Sequence, residues 1–365
     1  MSATQSSWID QLETPAIVVD LDVLERNIEV MASAVTARGV ALRPHFKTHK
    51  TPQIASLQIQ HGAVGITCAT LGEATVLADA GFSDVFVAYP IWPGGPKRHI
   101  LRGLNERTTL SVGLDSEESA HALASACRGQ ATALRVLVEV DTGGRRSGVH
   151  PASAGRIAAC AAREGLDVVG VYTHGGHSYG LGEAARRAAR DEVEGLATAV
   201  ESMRAVGIDS RVVSAGSTPT ALMSADGLVT EERPGTYVFG DRQQVAIGSC
   251  ATAEVALTVA STVVSLAVDN QVVIDAGTKC LGRETQPWLD GFAHVVDWPS
   301  IRLTRLYDHH GVGLVPDGEE RPATGSLVAL IPNHVCPVVN LARELVITRA
   351  GRIIDTWPVT ARALV

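Results

Sequence analysis

Short apolar runs bounded by turn residues alternate with longer Ala-rich stretches whose apolar residues recur at three- and four-residue spacing, and this alternation limits the fold more than any other feature of the sequence. The runs are ALRPHFK, GITCAT, DVFVAYP, TTLSVGLD, ALRVLVEVD, DVVGVYTH, RVVSAGS and GTYVFGD, with segments such as LGEATVLADAG and SEESAHALASACRG between them. About eight strand–helix units over roughly 200 residues predict a (β/α)8 TIM-like barrel of the α/β class; the competing arrangement is an open doubly wound sheet. Beyond about Arg242 the pattern changes to Val-, Ile- and Thr-rich runs with turn residues between them, which predicts an additional antiparallel β domain. The early TPAIVVDL reads as a strand returning to that domain. The expected division is a barrel over residues 22–245 and a β domain made of 1–21 plus 246–365.

Composition narrows the class of function. With 45% hydrophobic and 19% charged residues, 365 residues can bury a full core, and a net charge of -8 argues against a nucleic-acid surface, which needs a basic stripe. No apolar run reaches the roughly 20 residues of a membrane span, and MSATQSSWID lacks the charged and apolar regions of a signal peptide. The six cysteines never pair at C-x-x-C spacing, which fits reduced thiols. A soluble cytoplasmic protein is the expectation.

Against that acidic background, ALRPHFKTHKTPQ gathers Arg43, His45, Lys47, His49 and Lys50 at the end of the first barrel strand. In such barrels the C-terminal ends of the strands form the active face. The other strand ends would bring Thr70, Tyr89, Asp141, His174, Gly216 and Tyr237 there. A lone lysine is usually a solvated surface charge. One in a partly desolvated mouth beside other cations is instead favoured as the neutral, nucleophilic amine, the environment of a Schiff-base lysine. In VVSAGSTPTAL, Gly216, Ser217 and Thr218 follow a strand, and Pro219 suits the first position of a helix. Backbone N–H groups and hydroxyls at such a terminus bind phosphate, although Gly-Ser-Thr-Pro is also an ordinary strand-to-helix turn. His334 and Cys336 in IPNHVC, two residues apart in an extended segment, would share a face and hold one cation; alternatively Cys336 is a small buried residue beside a strand histidine.

RPHFKTHK, DTGGRRSGV, YTHGGHSY, SAGSTPT, ERPGTYVFGD and PNHVC, in this order, resemble the D-threonine aldolase and D-serine dehydratase family, pyridoxal-phosphate enzymes on an alanine-racemase-like barrel with an added β domain. The resemblance runs from about Leu12 to near the C-terminus. It implies that Lys47 bears the cofactor as a Schiff base and that Gly216, Ser217 and Thr218, with Tyr237, hold its phosphate. It further implies that Arg146 and Tyr172 contact the cofactor ring and its oxygen, and that a divalent metal sits at His334 and Cys336. Thiolate with imidazole favours zinc, manganese and magnesium remaining open. His177, before His174, is the expected extra base. The implied reaction is dehydration and deamination of D-serine or D-3-hydroxyaspartate; retro-aldol cleavage to glycine and an aldehyde is the alternative, and racemisation a further one. A homodimer is expected.

Overall fold

The computed structural model describes residues 12–364, in two units. One comprises Glu29–Lys47, Pro52–Gly235 and Leu364; the other comprises residues 12–28, Thr48–Thr51 and Thr236–Ala363.

The first unit is built on an eight-stranded, all-parallel sheet. Its spatial order is Ala41–Leu42, Glu231–Glu232, Val212–Ala215, Asp167–Tyr172, Arg135–Glu139, Thr109–Leu114, Asp84–Pro90 and Ile66–Cys68. The two ends of that order meet. His45 forms a parallel bridge to Thr67, and the N–H groups of Val64 and Thr67 donate to the carbonyls of Leu42 and Pro44, each at 2.9 Å. The sheet therefore closes into the predicted barrel. Strands covered on both faces need apolar residues throughout, and Val85, Phe86, Val87, Val112, Val136 and Val138 are all buried. Side-chain caps start the intervening helices. Thr70 accepts from the Glu73 N–H ahead of Leu71–Asp79, and Ser116 accepts from the Ser119 N–H ahead of Glu117–Cys127.

One strand was misplaced by pattern. The run GTYVFGD is not the eighth strand: Thr236–Val238 is a 3-10 turn, and the strand is Glu231–Glu232. Two buried glutamates carry no apolar signal. They are tolerated because Arg43 Nε donates to Glu231 Oε2 at 2.6 Å and Ser224 Oγ to Glu232 Oε1 at 2.8 Å.

The second unit carries a nine-stranded sheet. Its order is Gln271–Ile274, Gly311–Leu314, Arg302–Leu306, Ala293–Val295, Leu327–Pro332, Leu257–Ser265, Ala16–Asp20, Glu344–Arg349 and Arg352–Pro358. Gln271–Ile274 also pairs with Leu257–Ser265, which rolls six of the strands into a ring. Every pairing is antiparallel except that of Ala16–Asp20 with Glu344–Arg349. Ala16–Asp20 is the early strand read in TPAIVVDL.

Candidate active site

Lys47 lies in the 3-10 turn Phe46–Thr48, immediately after the bridge that closes the barrel, and its N–H donates to His45 Nδ1 at 3.3 Å. A cavity of about 240 Å³ in the same unit is lined by Glu139, Asp141, Arg146, Ser147, His174 and Gly176, among others. His174 ties these parts together. Burial, then the positive charges of Lys47, Arg146 and Arg233, hold its imidazole well below the usual range, against a hydrogen bond with the Gly216 backbone. Lys47, Arg146, Arg233 and Gly216 thus converge on one neutral imidazole, although they come from four separate stretches of the barrel.

The Arg146 guanidinium stands 3.8 Å from Glu139 and 5.0 Å above the Tyr89 ring. Glu139 accepts from Ser147 Oγ at 2.9 Å and from the Tyr172 hydroxyl at 3.1 Å. Burial pushes its carboxyl up from the ordinary range; Ser147, Arg146 and Tyr172 oppose the rise. Tyr172, expected at the cofactor, is only 1% exposed and packs with Phe86, Leu137 and Val169. Its hydroxyl is committed to Glu139, so it positions that carboxyl and has no surface to offer a ligand. Arg233 is equally internal. It donates to Ser214 Oγ and the Thr173 carbonyl and lies 5.3 Å from the Tyr172 ring centre. His177 does not line the cavity; its Nε2 is 3.0 Å from Asp191 Oδ2.

The loop after Val212–Ala215 is held from beneath. Gly216 has φ of +92°, its N–H donates to Glu192 Oε1 at 3.1 Å, and a Cβ there would fall 1.7 Å from Glu232 Oε2, so only glycine fits. Ser217 Oγ is 3.0 Å from both Ser178 Oγ and Thr220 Oγ1. The helix that follows is a single turn, Ala221–Ser224, capped at Thr220, so Pro219 is not its first residue. The hydroxyl cluster, not a long helix, shapes this loop.

The cationic cluster of the sequence divides in the fold. Arg43 is a structural ion pair, 2.6 Å from both Glu231 and Asp84. Lys50 adopts φ of +51° and its Nζ donates to the Ala361 carbonyl at 3.3 Å. Of the two lysines, Lys47 is the one whose charge bears on the cavity imidazole.

In the second unit His334 and Cys336 are not in an extended segment. His334 is the N-cap of the helix Val335–Leu341, and Cys336 lies in its first turn, 3.6 Å from Thr48 Oγ1. Asp241, fully buried, sets the histidine: its Oδ2 lies 3.0 Å from His334 Nδ1 and accepts from the Val335 N–H at 3.2 Å. Burial pulls the His334 imidazole down, but Cys336 and Asp241 outweigh it and hold it well above the usual range. Among the described residues no three His, Cys, Asp or Glu side chains gather as a metal-holding group. Tyr237 is buried in the 3-10 turn of this unit. Pattern reading passed over Asp241, Arg233 and Glu139, although Arg233 and Asp241 both stand inside ERPGTYVFGD, where they look like turn residues.

The fold is alanine-racemase-like. Residues 19–243 match the model of the alanine racemase N-terminal domain and residues 256–348 that of a putative serine dehydratase domain, so the chain belongs to the alanine racemase N-terminal domain family. It is 38% identical to D-threo-3-hydroxyaspartate dehydratase of Delftia sp. over 89% of this chain and 91% of that protein. It is 31% identical to D-threonine aldolase of Arthrobacter sp over 96% and 93%. Among solved structures, D-threonine aldolase from Filomicrobium marinum is 31% identical, with a TM-score of 0.88 over 97% of both chains. These relatives are lyases of D-β-hydroxy amino acids, the reaction class implied by the sequence motifs.

Proposed function

We propose that the protein is a pyridoxal-phosphate- and divalent-metal-dependent lyase that eliminates water from a D-β-hydroxy amino acid, D-3-hydroxyaspartate or D-serine, releasing a 2-oxo acid and ammonia. The observation that carries this reading is the placement of Lys47 directly after the bridge that closes the barrel, in the same unit as a cavity lined by Arg146 and His174. The residues of the barrel unit fit the cofactor by their chemistry: the Lys47 amine to bond a carbonyl carbon, the cavity guanidinium of Arg146 for an anionic oxygen, and the Gly216 turn flanked by hydroxyls for a phosphate.

Pyridoxal phosphate, when bound, supplies an electron sink for charge at the substrate α-carbon, and a divalent ion supplies a Lewis acid toward the β-oxygen. The chain does the rest. Lys47 would hold the cofactor through Nζ, and its amine would be the base for the proton on the substrate α-carbon. Gly216, Ser217 and Thr218 would hold the phosphate. Arg146, braced by Glu139 and Tyr89, binds an anionic oxygen of cofactor or substrate. His174 is the better placed of the two histidines to move a second proton, since it lines the cavity; His177 with Asp191 is the other.

His334 and Cys336 hold the metal. With Asp241 on Nδ1, His334 would offer Nε2 as the donor to a metal, the usual outer support of a metal histidine. Two protein donors leave positions for water or substrate oxygen, which suits a catalytic site better than a closed structural one. The thiol favours zinc over manganese or magnesium, and the 38% identity to D-threo-3-hydroxyaspartate dehydratase favours dehydration over aldol cleavage. The pair has no task in racemisation, which ranks that reading lower. The six free cysteines fit a reducing compartment, and we assign the protein to the cytoplasm as a homodimer. Incubation with D-serine, D-threonine and D-3-hydroxyaspartate tests the reading. A 2-oxo acid with ammonia is expected, whereas glycine with an aldehyde as the product would replace dehydration by aldol cleavage.

A further inference from the structure

Two buried carboxyl groups meet at Gly216, and the proposed chemistry uses neither. Glu192 comes from the helix Ala184–Arg204 and Glu232 from the eighth barrel strand; both are fully buried. Glu192 Oε1 accepts from the Gly216 N–H at 3.1 Å, and Glu232 Oε2 occupies the space that a Cβ on Gly216 would need. On each group the Oε2 atom is buried without a hydrogen-bond partner. A carboxylate only accepts, so two ionised groups leave both oxygens orphaned, whereas a carboxylic acid has an O–H to donate.

Charge balance gives the same answer. Three buried glutamates, Glu192, Glu231 and Glu232, share this part of the barrel with two buried guanidiniums, Arg43 and Arg233. Arg43 is taken by Glu231 and Asp84, which leaves Arg233 alone for the other two. Glu192 is the better-supported anion: the Gly216 N–H donates to it, and although burial pushes its carboxyl up, Thr220, Gly216, Arg233 and Gly175 all oppose the rise. Glu232 receives Ser224 Oγ at 2.8 Å.

We propose that Glu232 is a neutral carboxylic acid in the native protein, and that its proton keeps the Gly216–Thr218 loop able to receive a phosphate dianion. The second half rests on the phosphate assignment made above. Glu232 is a positioning residue that acts through Gly216. The groups facing the pair are consistent with this: burial and then the neighbouring Glu192 push the Glu232 carboxyl well up, Glu231 adds to the rise, and Ser224 and Arg233 oppose it. His174 reaches the same place through its bond with the Gly216 backbone.

Infrared spectroscopy of the whole protein reads the proton directly. At neutral pH a buried neutral-carboxyl band is expected in the unmodified protein and not in Glu232→Gln. In Glu192→Gln the neighbouring charge is gone, and the band should titrate away at lower pH. The cofactor arm uses equilibrium dialysis of pyridoxal phosphate. As pH rises through the Glu232 titration, the unmodified protein should lose affinity by at least about tenfold relative to Glu232→Gln, whose amide cannot ionise. No band, or a band that survives in Glu232→Gln, overturns the proposal. Equal pH dependence in the two proteins overturns the role in phosphate binding. Failure of the underlying phosphate assignment looks different: Ser217→Ala and Thr218→Ala would retain pyridoxal phosphate undiminished while the band stayed in place, which overturns the second half of the proposal alone.

Discussion

Lys47 and Lys50 are three residues apart, and their surroundings assign them different work. Lys50 Nζ spends a hydrogen bond on the Ala361 carbonyl, whereas Lys47 acts on the cavity imidazole. Borohydride trapping followed by peptide mapping should label Lys47 and leave Lys50 unlabelled; label on Lys50 would move the cofactor site. Asp241 is the residue most dependent on context. Replacing its carboxylate in Asp241→Asn weakens the hold on His334 Nδ1, and metal titration should show affinity lower by about 10- to 100-fold. His174 gives a pH signature. Its folded pKa is depressed, so its contribution to stability is complete above the ordinary imidazole pKa and is lost as pH falls through the folded value. The stability difference between the unmodified protein and His174→Gln should therefore shift as the medium is acidified below about pH 6.5; parallel pH profiles would count against the buried neutral imidazole. That Lys47 and His174 stand at strand ends was legible in the sequence because strand ends on a barrel converge, but the sequence put His177 first as the base, and the cavity is lined by His174. Asp241 and Glu139 were not legible, since what marks them is a partner distant in the chain, 93 residues for His334 and Asp241.

At the level of elements, most of the barrel strands announced themselves by apolar runs, and Glu231–Glu232 did not because its burial is balanced by charge instead. Arg43 joins the first, third and eighth strands through Asp84 and Glu231, with both partners of the Glu231 pair largely buried. Arg43→Ala strands a buried carboxylate and should cost about 3–5 kcal/mol in denaturant unfolding; a loss within experimental error would count against the ion pair as a tie between these strands. Close approach adds a second constraint. A Cβ on Gly113 would lie 2.0 Å from the Tyr172 hydroxyl oxygen, so Thr109–Leu114, the next strand but one, must be bare where the tyrosine reaches across the barrel interior. The metal pair was legible as residue types but not as geometry. H-x-C spacing suggested an extended face, and an N-cap followed by a helical turn replaced it, because the strand ends at Pro332 and the chain turns there.

For the molecule as a whole, the two-part plan could be read from the switch in periodicity, while the points at which the chain changes unit could not. Lys47 and Thr48 are consecutive and belong to different units, a division set by contacts across the chain and absent from local pattern. Residues proposed to bind the metal and the lysine proposed to bind the cofactor likewise lie in separate units. Chelation should therefore end lyase activity and leave the cofactor absorbance unchanged, and loss of both together would refute independent holding. Light scattering should report a homodimer; a fully active monomer would not fit. The ring of eight parallel strands also has an uneven hem. Between Ala41–Leu42 and Ile66–Cys68 it is fastened by one bridge and a few hydrogen bonds, whereas its other neighbours are joined by strand ladders or by buried charge. Local opening begins where fewest bonds must break. The amides of Val64 and Thr67 should thus exchange with deuterium ahead of those of Val112 and Val136, and because Lys47 follows this join directly, filling the cofactor site should slow them most.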